Sequence, residues 1–292
     1  MERAYAACEQ MARTHYENFP VASRLLPGGI RRHIAALYAF ARVADDIADE
    51  GVASPDDRRA RLRAWQQRLH VAATDHTGES SAGDRESLIM MAIGHSIRSL
   101  DLPLALFDDL LSAFGQDTTT SRYDSWDDVL DYCRRSANPV GRLVLRIAGY
   151  REPALDRSAD ALCTALQLTN FWQDFGRDWR VGRLYVPREA QLACGASEQE
   201  LMTERISGAW ARTIQACVAV TERRFEEGRS VCEGVRGLLG LELKLTWLGG
   251  SRVLEQIERR RFDLFVHRPT LATTDAPSLL WRAFRWPALA RP

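Results

Sequence analysis

Residues 37–49 read Leu37-Tyr38-Ala39-Phe40-Ala41-Arg42-Val43-Ala44-Asp45-Asp46-Ile47-Ala48-Asp49. Around them, Ile34, Leu37, Ala41, Ala44 and Ala48 recur in the three-and-four rhythm of a helix, predicted here from Ile30 to Glu50. On that helix Asp45 and Asp49 stand four residues apart, about 40° around the axis and one turn along it, so their carboxylates share a face. Two like charges so placed repel each other. In an otherwise apolar helix they are costly unless paired or coordinating a metal.

The same arrangement returns at Leu168-Thr169-Asn170-Phe171-Trp172-Gln173-Asp174-Phe175-Gly176-Arg177-Asp178, inside a helix predicted over roughly 153–180. Oxygen donors with no neighbouring His or Cys suit Mg²⁺. That ion keeps several waters and takes one or two carboxylates plus substrate phosphates. Asp45, Asp49, Asp174 and Asp178 are therefore candidate ligands for about two or three Mg²⁺ ions holding a diphosphate. A single Asp-x-x-x-Asp is usually a solvated, salt-bridged face; the doubling is what points to a metal site. A di-iron bundle would want Glu-x-x-His pairs, and none of the six histidines has Glu three positions before it.

Helix signals run the length of the chain. Ser54-Pro55-Asp56-Asp57 opens a helix through Leu62, Trp65 and Leu69 to about Ala73. Residues 75–85 are a polar loop. Helices are predicted at about 85–99, 103–115 and 125–135, the last from a variant capping box at Ser125-Trp126-Asp127-Asp128. Asn138-Pro139 interrupts before a helix to about Tyr150, and Gly182 to Pro187 form a turn. A second capping box at Ser197 to Glu200 precedes a long helix to about Glu227, with further helices near 230–248 and 250–262. No βαβ alternation, Walker loop or proline-rich linker occurs. The expectation is one all-α domain over residues 1–292.

The net charge is zero, with 39 basic and 39 acidic residues, so a nucleic-acid partner is disfavoured. No GxGxxG is present, and NADPH is not expected. Six cysteines are scattered without a CxxC pair, which suits free thiols in a reducing cytoplasm. Nothing near Met1 resembles a signal peptide, and no run of about 18 apolar residues exists.

The first segment, Tyr38 to Asp49, resembles the first aspartate-rich motif of the squalene/phytoene synthase family. Gln167 to Asp178, followed by Gly182-Arg183-Leu184-Tyr185-Val186-Pro187, resembles the second. Tyr132-Cys133 with Val140-Gly141 is a third match, and the likeness runs from about residue 10 to 268. It implies an isoprenoid synthase-type helical barrel around a central apolar cavity, with Mg²⁺ at its mouth and a prenyl diphosphate as substrate. It further implies Asp45, Asp49, Asp174 and Asp178 as metal ligands. Tyr38, Arg42, Gln167, Asn170, Arg183 and Tyr185 would meet the substrate, and Tyr132 would line the prenyl cavity. The alternatives are an intrahelical salt bridge for Arg42, turn packing for Arg183 and Tyr185, and a core position for Tyr132.

Condensing members of the family carry Ser-x-Ser-Phe near the start; here His15-Tyr16-Glu17-Asn18-Phe19-Pro20-Val21 stands instead. Gln173 replaces an arginine, and Ser136-Ala137-Asn138-Pro139 replaces a Val-Ala-Gly run. The Tyr16 to Val21 start and the Ser136 to Gly141 run resemble the hydroxysqualene synthase branch of the bacterial hopanoid route, a lyase acting on presqualene diphosphate. Ser136 or Asn138 would then position the reacting water, the alternative being a structural role, with Asn138 pushed out of helical geometry before Pro139. The alternatives are a condensing prenyltransferase and a non-catalytic relative, though the latter has no reason to retain four aspartates and Arg42. The 277–292 tail mixes aromatics with arginines. It is expected either to pack on the body or to make peripheral contact with the inner face of a membrane, where product would be handed to other hopanoid-pathway enzymes.

Overall fold

The computed structural model describes residues 1–14, 27–49, 51–75, 83–259 and 264–286. The His15 to Val21 motif, most of the 75–85 loop and residues 287–292 of the tail lie outside the described residues. Among those described there are fifteen α-helices and no strand: α1 Glu2–Thr14, α2 Gly28–Asp49, α3 Pro55–Thr74, α4 Arg85–Leu100, α5 Leu104–Asp117, α6 Trp126–Ser136, α7 Asn138–Ile147, α8 Pro153–Gln173, α9 Phe175–Arg180, α10 Arg188–Cys194, α11 Glu198–Leu201, α12 Gly208–Glu227, α13 Arg229–Gly234, α14 Gly237–Arg259 and α15 Ala276–Phe284. None is long and apolar enough to cross a membrane.

Short polar side chains start several of these helices. Ser54 Oγ accepts the Asp57 N–H at 3.2 Å, with Pro55 at the first helical position. At Ser125 the capping box closes in both directions: Asp128 N–H donates to Ser125 Oγ at 3.2 Å, and Ser125 N–H to Asp128 Oδ2 at 2.9 Å. Each such cap contributes about 1 kcal/mol.

Several boundaries differ from the sequence reading. The expected helix from Ser197 to Glu227 keeps its capping box but runs one turn, α11. Glu204 then takes φ 50°, and Ser207 caps a new helix by accepting the Trp210 N–H at 3.2 Å. The break expected between 248 and 250 is absent, because Gly249 and Gly250 serve close packing within α14. A Cβ on Gly250 would stand 2.6 Å from Leu166 Cδ2 and 2.7 Å from Phe225 Cζ. The expected helix over 153–180 is interrupted at Asp174.

The chain forms two compact units, Met1–Thr119 with Pro139–Glu152 and Thr120–Asn138 with Pro153–Pro292. In the first, Phe40 of α2 stacks on Trp65 of α3 at 5.7 Å and meets the edge of Phe107 of α5 at 5.5 Å. Burying each ring contributes roughly 1.5–3 kcal/mol. Tyr5 fastens α1 to α2 and α4: its hydroxyl lies 3.2 Å from His33 Nδ1, 2.8 Å from His95 Nδ1 and 3.0 Å from Ser96 Oγ. Burial, with Arg32 and His95 nearby, lowers the His33 pKa to about 4.

In the second unit α8 is gripped by α12, α13 and α14. Trp172 Nε1 donates to Thr221 Oγ1 at 2.8 Å. A Cβ on Gly228 would stand 2.6 Å from Leu162 N, a separation that only glycine allows. The six cysteines are free thiols.

Candidate active site

The first unit contributes a stripe on α2. Tyr38, Arg42 and Asp45 are half-buried and Asp49 is exposed, while Leu37, Ala39, Phe40, Val43, Ala44, Ile47 and Ala48 are buried. Positions 38, 42, 45 and 49 fall within about 60° of one another around the axis, so this is one face of an otherwise buried helix. Arg42 makes the intrahelical contacts weighed from the sequence. Nη1 is 3.6 Å from Asp45 Oδ2, and Nε is 2.8 Å from Asp46 Oδ1, an ion pair whose N–H does not point along the contact. A guanidinium already standing beside Asp45 supplies positive charge where the carboxylates crowd.

The second unit carries a stripe of its own: Gln167 and Asn170 on α8 and Asp174 just beyond its end, half-buried at three- and four-residue spacing. At Asp174 the backbone leaves the helical region (φ −95°, ψ 5°). The hydrogen-bond ladder nevertheless passes through it: Asp174 N–H donates to Asn170 O at 2.9 Å. The Asp174 carbonyl in turn accepts from Arg177 N–H at 2.8 Å and Asp178 N–H at 2.9 Å. The one-turn relation between Asp174 and Asp178 therefore survives the break between α8 and α9.

A residue that the sequence did not single out completes this region. Arg268 donates from Nε to Asp174 Oδ1 at 2.5 Å and from Nη2 to Oδ2 at 3.0 Å, a bidentate pair. The 264–269 segment that carries it lies against the motif. Gln173 Nε2 donates to Pro269 O at 2.5 Å, Phe265 meets Phe175 edge-on at 5.6 Å, and Arg180 Nη2 donates to Phe265 O at 3.3 Å. Gly176 makes that approach feasible, since a Cβ there would stand 2.7 Å from Leu264 O. Gln173, noted as a departure from the family, is thus buried and engaged with this strap.

The turn after α9 returns to the same place. Arg183 N–H donates to Asp178 O at 2.8 Å, Leu184 N–H to Ser121 O at 3.0 Å, and Arg122 Nη1 to Gly182 O at 2.7 Å. Asp178, Arg183 and Tyr185 line one narrow crevice with Phe171 and Phe175. Tyr185 stacks on Phe171 with centroids 3.8 Å apart and planes 5° apart. Tyr132 is buried in the same cluster, 5.9 Å from Phe171, 6.2 Å from Tyr185 and 5.8 Å from Tyr123.

Ser136 and Asn138 separate. Asn138 is the first residue of α7, the interruption falling on Ala137, and its Oδ1 accepts from Thr164 Oγ1 at 3.0 Å. Ser136 Oγ is buried with no hydrogen-bond partner among the described residues.

Among the described residues no three acidic, His or Cys side chains form a ready cluster for a metal ion. The donors are carboxylates in pairs, each with an arginine close by. Such a set suits a hard cation whose remaining ligands come from phosphate and water.

Comparison with known proteins bears on what these parts belong to. The sequence pattern of the squalene/phytoene synthase family matches residues 12–275. The chain belongs to that family. Its members are isoprenoid synthases acting on prenyl diphosphates. A hydroxysqualene synthase of Zymomonas mobilis is 42% identical over 193 residues, which is 63% of this chain but 59% of that protein's length. One from Sinorhizobium fredii is 33% identical over 84% of this chain and 80% of its own. Among solved structures, the squalene synthase HpnC of Alicyclobacillus acidocaldarius superposes with a TM-score of 0.80. It is 37% identical, over 89% of this chain and 94% of that one. The all-helical fold is that of these isoprenoid synthases.

Proposed function

We propose that this chain is a hydroxysqualene synthase, a Mg²⁺-dependent lyase that ionises presqualene diphosphate and lets water capture the rearranged cation. The carbon–oxygen bond to the diphosphate breaks and its electron pair leaves with the diphosphate. A new carbon–oxygen bond forms to water, which gives up one proton. The observation that carries this reading is the stripe of Gln167, Asn170, Asp174 and Asp178 joined to the Arg183–Tyr185 turn, in a chain 33–42% identical to two hydroxysqualene synthases.

Asp45, Asp49, Asp174 and Asp178 would hold the Mg²⁺ ions. When bound, these would supply positive charge to the departing diphosphate. Arg42 and Arg183 would bond phosphate oxygens, and the Tyr185–Phe171 stack would shield the cation from solvent. Of the two polar residues at the α6–α7 junction, Ser136 is the better water holder, since Asn138 Oδ1 is already engaged by Thr164.

Incubation with presqualene diphosphate and Mg²⁺, followed by mass spectrometry, should give hydroxysqualene, and farnesyl diphosphate alone should remain unconsumed. Consumption of farnesyl diphosphate would instead establish a condensing transferase.

A further inference from the structure

The C-terminal helix divides its side chains sharply. Ala283 and the following Trp286 are buried. The Trp286 indole meets Trp247 edge-on at 5.2 Å, donates to Glu233 Oε1 at 3.2 Å and lies 5.3 Å beneath the Arg229 guanidinium. At the other end Asp275 is ion-paired with Arg252 at 3.3 Å. The helix is therefore fixed on α13 and α14 at both ends.

Its outward face is different. Leu280, Trp281 and Phe284 are 42%, 53% and 74% exposed. At this spacing they fall within an arc of about 100° on one side of α15. The Arg285 guanidinium lies 5.0 Å from the Trp281 ring centroid. Between Ala276 and Trp286 the charged residues are Arg282 and Arg285, with no acid, in a chain whose net charge is zero.

We propose that α15 is a docking face for a bilayer surface carrying anionic headgroups. Three large apolar side chains held outward by buried anchors would enter the acyl boundary. The two arginines would stay at headgroup level and meet the opposite charge there. The charge decides between occupants. A second copy would bring the same two arginines against each other, whereas anionic lipid complements them. The inference stands on this helix alone and does not require the proposed reaction.

The test is flotation of the full chain with phosphatidylcholine vesicles, with and without phosphatidylglycerol. Binding should be stronger by about tenfold with the anionic lipid. Trp281→Ser with Phe284→Ser should abolish it, and Arg282→Gln with Arg285→Gln should remove the anionic preference. All three proteins should share one melting temperature and one turnover on detergent-dispersed substrate, which separates this result from any failure of the proposed reaction. Vesicle binding by the Trp281/Phe284 variant equal to that of the parent would overturn the proposal. So would absence of binding by the parent chain, or a parent dimer that the same variant splits, which would make the face a contact between copies.

Discussion

Arg268 grips both carboxylate oxygens of Asp174, at 2.5 and 3.0 Å, from 94 residues away in the chain. The acid assigned to metal binding thus carries a cation already. Under the proposed chemistry, Mg²⁺ and Arg268 compete for the same oxygens. Replacing Arg268 by Ala should lower the Mg²⁺ concentration that half-saturates a thermal shift, without substrate, by about fivefold, the equivalent of about 1 kcal/mol for a partly exposed pair. An unchanged or higher half-saturation would show that Arg268 does not compete.

Asp45→Asn and Asp174→Asn should each reduce kcat/KM by at least about 10²-fold. The double variant should fall little further than either single one, because groups serving one metal–diphosphate assembly act as a unit. Additive losses would mean that the two stripes serve separate purposes.

The Tyr5–His33–His95–Ser96 cluster makes stability depend on acid. The folded His33 pKa, about 4, lies below the ordinary 6.5, so the unfolded chain binds this proton first as pH falls. The neutral ring's contribution is complete above about pH 6.5 and fades between there and pH 4. Urea midpoints should be lower at pH 5 than at pH 7.5, and His33→Gln should flatten that difference. A difference of the same size in the variant would put its origin elsewhere.

Gly176→Ala should destabilise by about 1–3 kcal/mol, since the new methyl meets the Leu264 carbonyl. If the strap is displaced, the Gln173–Pro269 and Arg268–Asp174 bonds go with it. Mg²⁺ titration of this variant should then resemble that of Arg268→Ala.

Ser136→Ala should leave consumption of presqualene diphosphate within about threefold but lower the share of hydroxysqualene among the products. Asn138→Ala should chiefly cost stability, by about 1 kcal/mol for the lost bond from Thr164. The reverse pattern would reassign the water to Asn138.

What the sequence disclosed was local. The α2 helix, its aspartate stripe and the caps at Ser54 and Ser125 follow from periodicity and from side chains bonding three residues ahead. The break at Asp174 was hidden because the apolar rhythm continues across it and Asp178 still bonds the Asp174 carbonyl. Gly249-Gly250 looked like an end because glycine weakens helices, whereas here its missing side chain admits Leu166 and Phe225. Arg268 left no local signal: its partner is set by the fold of a distant segment, and one arginine among 39 basic residues carries no mark of it.

Helix α8 is seated against Gly228 at Leu162, against Gly250 at Leu166 and on Thr221 through Trp172. With three points along its length locked to their neighbours, the helix is held against sliding and rotation. Under the proposed function, Gln167 and Asn170, half-buried on the same helix, are then positions where side chains can be exchanged without moving α8. A library confined to those positions would be the economical way to retune this catalyst.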